Sequence, residues 1–484
     1  MKAACIAMAG SFSLLIVSAS EARDLFVNHE IGNDVHGGLS ADAPFQTIKA
    51  ALRICGPGDV IHLAKTATPY HEGIEIANNQ SGLPGQPITI DGHGATLSGC
   101  TPLRAEEWTD LGDGLYRNSR LLPDLFPLGQ PVNETLLRRF FFLFNGKMVR
   151  MGRNGKGDCP PLPKPSDLKA GEWTHDQDGF YLKIDPSKAL SGERVEYPVL
   201  GNGFRTSDGH CEFLVVRNLI VTHFWNDGFN INGNTVNTRF ENIEAIECGD
   251  DGMSAHTSSR IEVDGFISRG NTTGICHVQG SHSSSRRLVL ENNCAFEVLL
   301  SGSGIHEISD SVILPSRHLT RVVRLSSEQA EEGKGCRLHM ENVLIDGDHC
   351  KEAHDKEESR RLGREFTVEI LGKCHWSGRR VTLLSVGLTS KWPAPGVSEV
   401  TLFQSIMAGQ VKPEIDLLPT TIWQANDNAY DLATIAVGGT RYTPSQWEEY
   451  RRATGQDQAS SWGAPDKSEL RGVDSSKLPV FSGN

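Results

Sequence analysis

The sequence predicts an all-β chain built as a parallel β-helix, a solenoid of short stacked coils with an N-terminal helical cap and a small β-rich insert. The first observation behind this is an internal repeat of apolar-x-Asn-apolar segments and near variants. These are Val216-Arg217-Asn218-Leu219, Phe240-Glu241-Asn242-Ile243, Val263-Asp264-Gly265-Phe266, Leu290-Glu291-Asn292-Asn293 and Met340-Glu341-Asn342-Val343. Their third positions lie 24, 23 and 27 residues apart, and the last step of 50 is two of 25. The second is alternation: each unit holds two or three short runs such as Phe229-Asn230-Ile231-Asn232, broken by Gly, Asn or Asp, which is strand and turn patterning. The third is size. A unit this short cannot bury a core alone and must stack on its neighbours. Leucine-rich spacing is absent, and helical repeats are longer and need a 3.6-residue period. A parallel β-helix remains, with coils about 4.8 Å apart and the recurring Asn at one turn, bonded to the next coil.

Composition agrees. Lys and Arg number 47 against 60 Asp and Glu, a net charge of −13, which argues against nucleic acid or an anionic membrane as the main partner. Hydrophobic residues at 38% and charged residues at 22% are globular values. The 50 glycines without a collagen period point to many turns. The length of 484 residues allows about three ordinary domains, a rule that elongated folds break.

Taken in order, residues 1–22 read as an export signal. Lys2 supplies the positive start, Leu14-Leu15-Ile16-Val17 lies in the apolar stretch, and Ser20-Glu21-Ala22 offers the small residues of a cleavage site. No other segment approaches 18 uninterrupted apolar residues, so no membrane span is expected, and the chain is expected to be secreted or periplasmic. Of 11 cysteines, Cys5 leaves with the signal; the rest include no CxxC and are either supplementary disulfides or buried thiols. Residues 23–101 form the cap and first coils, with a short amphipathic helix from Thr47 to Leu52 covering the open end, which would otherwise be an aggregation-prone edge. Residues 102–200 form the β-rich insert. Phe142-Leu143-Phe144-Asn145-Gly146-Lys147-Met148-Val149-Arg150 is a hairpin turning at Asn145-Gly146. Gly171-Glu172-Trp173 and Gly179-Phe180-Tyr181-Leu182 add strands, while the prolines of Cys159-Pro160-Pro161-Leu162-Pro163-Lys164-Pro165 impose an extended loop. Residues 201–425 hold the main coils, with a charged excursion at about 324–364 carrying a helix; His349 and His354 within it belong to a solvated face rather than a metal site. Residues 426–484 are a tail with a short helix. Thr443-Pro444-Ser445-Gln446 is its capping box, and Gly455 closes it after about Thr454.

Several of these pieces resemble one family. Ala43-Pro44-Phe45-Gln46-Thr47-Ile48, Gly56-Pro57-Gly58-Asp59-Val60-Ile61 and Gly85-Gln86-Pro87-Ile88-Thr89-Ile90-Asp91-Gly92 resemble the opening of right-handed parallel β-helix (pectin-lyase-like) carbohydrate-active enzymes. The hairpin-containing segment resembles the β-rich insert of several β-helix glycoside hydrolases, which implies an insert packed beside a cleft and favours hydrolase over lyase. Trp447 and Thr454-Gly455-Gln456-Asp457 resemble the tail of secreted β-helix enzymes.

Candidate chemistry follows from registering the coils on Gly228, Gly252, Gly274 and Gly304. The preceding column reads Asp227, Asp251, Thr273, Ser303, and the one before it Asn226, Asp250, Thr272, Gly302. Two residues after each Gly stand Asn230, Ser254, Cys276 and His306, with His256, His277 and Glu307 close by. Glycoside cleavage needs two carboxyl groups across the scissile bond. Asp227 and Asp251 on adjacent rungs would lie about 5 Å apart, near the retaining geometry, whereas Asp227 with Asp250 is diagonal and wider. Two such carboxyls resist joint ionisation, which leaves one as the acid. The catalytic candidates are therefore Asp227, Asp250, Asp251 and His256. Those for substrate binding are Asn230, His277, His306, Glu307 and Trp225, the last as a stacking platform. Asn-Asp-Gly and Asp-Asp-Gly are also good turn sequences, and clustered carboxylates suit calcium, so turn and Ca²⁺ roles stay open. No cofactor is required by the proposed chemistry.

The polygalacturonase family of glycoside hydrolases carries Asn-Thr-Asp, then Gly-Asp-Asp one coil later, then Gly-His-Gly. Asn226-Asp227 and Gly249-Asp250-Asp251 are similar to the first two. Asn271-Thr272-Thr273-Gly274 lacks the histidine of the third, and no Arg-x-Lys follows. The resemblance thus implies the three aspartates as candidates and not a pectic substrate. The leading expectation is a secreted, monomeric glycoside hydrolase acting on a polysaccharide or oligosaccharide. The alternatives are a polysaccharide lyase, with Ca²⁺-assisted β-elimination and Arg286-Arg287 or His282 as base, and a non-catalytic glycan-binding β-helix.

Overall fold

The repeats stack into parallel strands in the computed structural model, which describes residues 21–463 apart from 131–132, 158, 317–320, 329, 331–333, 350–365 and 393–396. Nearly all of the expected export signal and the last residues of the tail lie outside the described residues. Two long sheets run the length of the stack, one of 15 strands and one of 12. Apart from Thr440–Tyr442, which runs antiparallel to Thr434–Val437 at the end of the second sheet, the strands pair in parallel with their counterparts a coil earlier: Leu214–Thr222, Thr238–Ile246, Arg260–Arg269 and His282–Glu291 follow one another in the first sheet. Phe229–Ile231, Asp251–Ala255, Thr273–Gln279 and Phe296–Gly302 do so in the second. Register stacks like on like, so Phe229, Met253, Ile275 and Val298 form one buried column of the core.

The recurring Asn marks a bend within the long strands. Asn218, Asn242, Gly265, Arg287, Asp310, Asn342, Arg380, Gln404 and Asp427 occupy equivalent places in successive coils, and all have positive φ. Left-handed backbone is costly for most L-residues and easiest for Gly and Asn, which is why those types recur. The bends are also tied together: Asn218 Nδ2 donates to Asp91 Oδ1 at 3.0 Å, and Arg287 donates to Asn242 Oδ1 at 3.2 Å. One register differs from expectation. Arg287, not Asn292, lies opposite Gly265, and Asn292 belongs to the next turn, after Gly270. Both turns need positive φ, so both select Asn and Gly, and the pattern matched the wrong one.

The ends are closed. Helix Ile48–Ile54, capped by the Thr47 side chain, buries Ile48, Ala50, Ala51 and Leu52 against the first coils. At the far end, helix Trp447–Thr454 follows the Thr443–Gln446 capping box and ends on left-handed Gly455. Its buried Tyr450 donates to Asp457 at 2.6 Å, and Asp457 also accepts from Tyr430. Between Cys100 and Pro198 stand two four-stranded antiparallel sheets with their own core of Phe140, Phe142, Trp173 and Phe180. The Phe142–Phe144 and Lys147–Val149 hairpin turns at Asn145-Gly146, both at positive φ. Within the expected charged excursion, Arg337–Asp346 is instead a full coil strand; much of the remainder lies outside the described residues. The nine described cysteines are all free thiols.

Asn242 is exposed and its bond from Arg287 lies at the surface, so its contribution is chiefly conformational. Asn242→Val should cost about 1–2 kcal/mol in denaturant unfolding, whereas Asn242→Gly should change stability by only a few tenths.

Candidate active site

The site begins with register. Phe229 pairs with Met253 and Asn230 with Ser254, and the same offset places Asp227 beside Asp251. Gly228 lets the chain pass close to the core: a Cβ there would lie 2.6 Å from the Cβ of Ala245. The flanking polar residues meet on the other side. Asp227 Oδ2 accepts from Asn230 Nδ2 at 2.6 Å and from Ser254 Oγ at 2.7 Å, while its Oδ1 accepts from the Asp251 backbone N–H at 3.0 Å. One oxygen from each of Asp227, Asp250 and Asp251 lies within 4.8 Å of the other two.

The insert covers this cluster. Lys156 Nζ stands 2.9 Å from Asp250 Oδ1 and 2.8 and 3.1 Å from the two oxygens of Asp251. Arg139 reaches Asp250 Oδ2 at 2.7 Å and also donates to Asn226. Arg150 donates to the carbonyls of Cys248, Gly249 and Gly270, and the Gly155 N–H donates to Thr272 Oγ1 at 3.1 Å. A Cβ on Gly155 would sit 2.1 Å from Asp250 Oδ1, so the close approach requires glycine. Asp227, Asp250 and Asp251 are consequently only 2–3% exposed, where an open groove was expected.

Burial and charge then drive the three carboxyls apart. Burial raises Asp227 to about 6, helped by the charge of Asp250. Burial and Asp250 likewise raise Asp251, to about 7. For Asp250 burial acts in the same direction, but Lys156 and then Arg139 outweigh it and hold that carboxyl below its ordinary value. Burial also works against the charge on Lys156, yet Asp251 and Asp250 keep it an ammonium well above its usual range. One fixed anion thus lies beside two carboxyls poised near neutrality.

The other candidates divide. Asn230 holds Asp227 directly. His256 follows Ser254 on the same face and is near enough to feel the charge of Asp251, although burial dominates and lowers it. Trp225 adjoins Asn226, half-buried, with its ring 3.3 Å from where a Cβ on Gly201 would stand. His277, His306 and Glu307 are not part of the cluster. His277 points into the solenoid, buried and pushed down to about 3, with neither ring nitrogen bonded. His306 lies in the other sheet, on strand Ile305–Leu314, its Nδ1 3.0 Å from Ser283 Oγ. Glu307, next to it, faces outward from that sheet, and Arg286 and Arg287 there pair with Asp264. The cause is the fourth rung: Thr273 pairs with Phe296, which places Glu297, not Gly304, opposite Gly274. Burial raises Glu297 to about 8. Lys156, Arg139 and Arg150 escaped the sequence reading, whose only trace of them was the glycine-rich run around Lys156.

The cluster supplies three carboxylate oxygens toward a Ca²⁺ ion, which takes six to eight. The Lys156 ammonium already occupies the space between Asp250 and Asp251, so calcium binding there requires Lys156 to withdraw.

No protein-family model matches the chain, and no curated protein matches it in sequence. Solved structures do. The chain aligns with the complex of XylC with xylose at a TM-score of 0.52 and 10% identity, covering 87% of this chain and 86% of that one. It aligns with a structure described as a glycoside hydrolase at 0.52 and 12%, covering 84% and 96%. The chain has the right-handed parallel β-helix fold. Pectate lyase Pel9A also aligns, at a TM-score of 0.44 and 11% identity over 85% of this chain and 80% of its own. Identities this low establish the fold and not the reaction.

Asp251 and Glu297 bind protons more tightly folded than unfolded, so stability should fall as pH rises from about 7 to about 9; below that, the low-titrating buried imidazoles His277 and His306 act in the opposite direction. Asp250 likewise has the opposite sign, its effect confined to more acidic solution. Melting temperatures measured from about pH 7 to about pH 9 should decline, and Asp251→Asn and Glu297→Gln should each flatten the decline.

Proposed function

We propose that the chain is a glycan-cleaving enzyme, a glycoside hydrolase whose acid and nucleophile come from the Asp227, Asp250 and Asp251 cluster. The observation that carries this reading is three carboxyls from adjacent coils, within 4.8 Å, held in different charge states. Asp250, paired at 2.7 Å with Arg139 as well as with Lys156, is the anion and serves as nucleophile or base. Asp251, protonated up to about 7, serves as proton donor to the leaving oxygen. Asp227 orients the pair through the Asp251 backbone and ties in Asn230 and Ser254. The short separation favours the retaining geometry of about 5–5.5 Å over the inverting one of about 6.5–9.5 Å. Asn230, His256 and Trp225 supply polar and apolar surface for a sugar beside the carboxyls. The fold shared with a glycoside hydrolase, and the Asn226-Asp227 and Gly249-Asp250-Asp251 segments similar to those of polygalacturonases, support the same reading. The lyase alternative is weakened because Arg286, Arg287 and His282 stand on the other sheet. The reading includes export, on the strength of residues 1–22, and action as a monomer with no required cofactor.

Purified protein screened against neutral and acidic polysaccharides should release reducing ends without an ultraviolet-absorbing unsaturated product. Asp250→Asn and Asp251→Asn should each lower kcat by about 10²–10⁴-fold with a much smaller change in KM, while circular dichroism stays that of the parent. Full activity in both variants would overturn the assignment.

A further inference from the structure

We propose that Lys156 is a tethered occupant of the sugar subsite, and that the arm of residues 151–157 must swing away from the coils before a glycan can reach the aspartates. This rests on the glycosidase reading of Asp227, Asp250 and Asp251. In that reaction positive charge develops at the sugar between the two working carboxyls. The Lys156 ammonium already sits there, within 2.8–3.1 Å of Asp250 and Asp251, so substrate and lysine compete for one place. Because the three carboxyls are buried, no glycan reaches them while the arm is down.

The arm is built to move. Its inner segment, Asn154-Gly155-Lys156-Gly157, has no apolar side chain, and it meets the coils through the Gly155 hydrogen bond and the Lys156 ion pairs. Its other polar side chains face elsewhere: Arg153 pairs with Glu134 and the Pro160 carbonyl, and Asn154 accepts from the Lys156 backbone. Gly152 and Gly157 flank the segment at φ of 73° and 80°, positions at which backbone rotation is easy. Arg150 at its root keeps hold of the coil carbonyls, so the arm can lift without the insert detaching.

Acetylation of the wild-type protein, read lysine by lysine in a mass spectrometer, tests this without any substrate. Lys156 should react roughly 10- to 1000-fold more slowly than exposed Lys147, at a rate insensitive to low denaturant, as expected of a local opening. Reaction only at the denaturant-dependent rate of global unfolding would overturn the proposal. Lys156→Met removes the ion pairs that hold the arm down, so the closed fraction shrinks and kcat/KM should rise by up to the factor by which labelling was slowed, while Lys156→Arg stays near the parent. A folded Lys156→Met with no gain would also overturn it; should that variant not fold, the labelling alone decides. If the arm opens but no polysaccharide is cleaved, it is the glycosidase reading that fails.

Discussion

Everything in the molecule depends on the register of the parallel hydrogen-bond ladder between coils. A slip of one residue would turn every side chain of a strand to the opposite face. The core columns would then meet solvent, and Asp251 would turn inward. The register is held in two ways that reinforce each other. Apolar columns such as Phe229, Met253, Ile275 and Val298 fit only in one alignment, and the left-handed bends interrupt every long strand at one height. Glycines at Gly228 and Gly252 complete the alignment where no side chain fits.

Register alone would leave three carboxyls crowded on one face, and such a cluster is unfavourable without compensation. The insert supplies it through Lys156 and Arg139, on a platform with an independent aromatic core. Burial raises Asp227 and Asp251, and the charge of Asp250 adds to it, while Lys156 and Arg139 keep Asp250 ionised. Buried charge networks seldom contribute much net stability, because desolvation offsets the attraction. Here the network instead fixes which carboxyl holds a proton and whether solvent reaches it.

The same coils bury further titratable groups in their interior. His277 and His306 approach within 5.5 Å between ring centres, and Glu297 is bonded by the backbone and side chain of Asn293. All three are buried in the forms that carry no charge near neutrality, the imidazoles low and the carboxyl high. The outside and the inside of the stack therefore treat their titratable groups differently: the outer cluster pairs them with cations, and the interior neutralises them.

Much of this was legible in the sequence, because solenoid coils are local. Repeat length, alternation, bend residues, the Thr47 cap and the Thr443–Gln446 box each reside within a few residues, and the one-coil offset of Asp227 and Asp251 follows from spacing alone. Two things required the tertiary structure. The fourth rung was misread because Phe296-Glu297 stand where a glycine had marked the earlier rungs, so His306 and Glu307 passed to the other sheet. The closure of the site rests on contacts between Lys156 and aspartates 94 and 95 residues later. Periodicity reports which residues share a face of their own coil, but a loop from a separate unit docks by shape and charge, and no local pattern records where it lands.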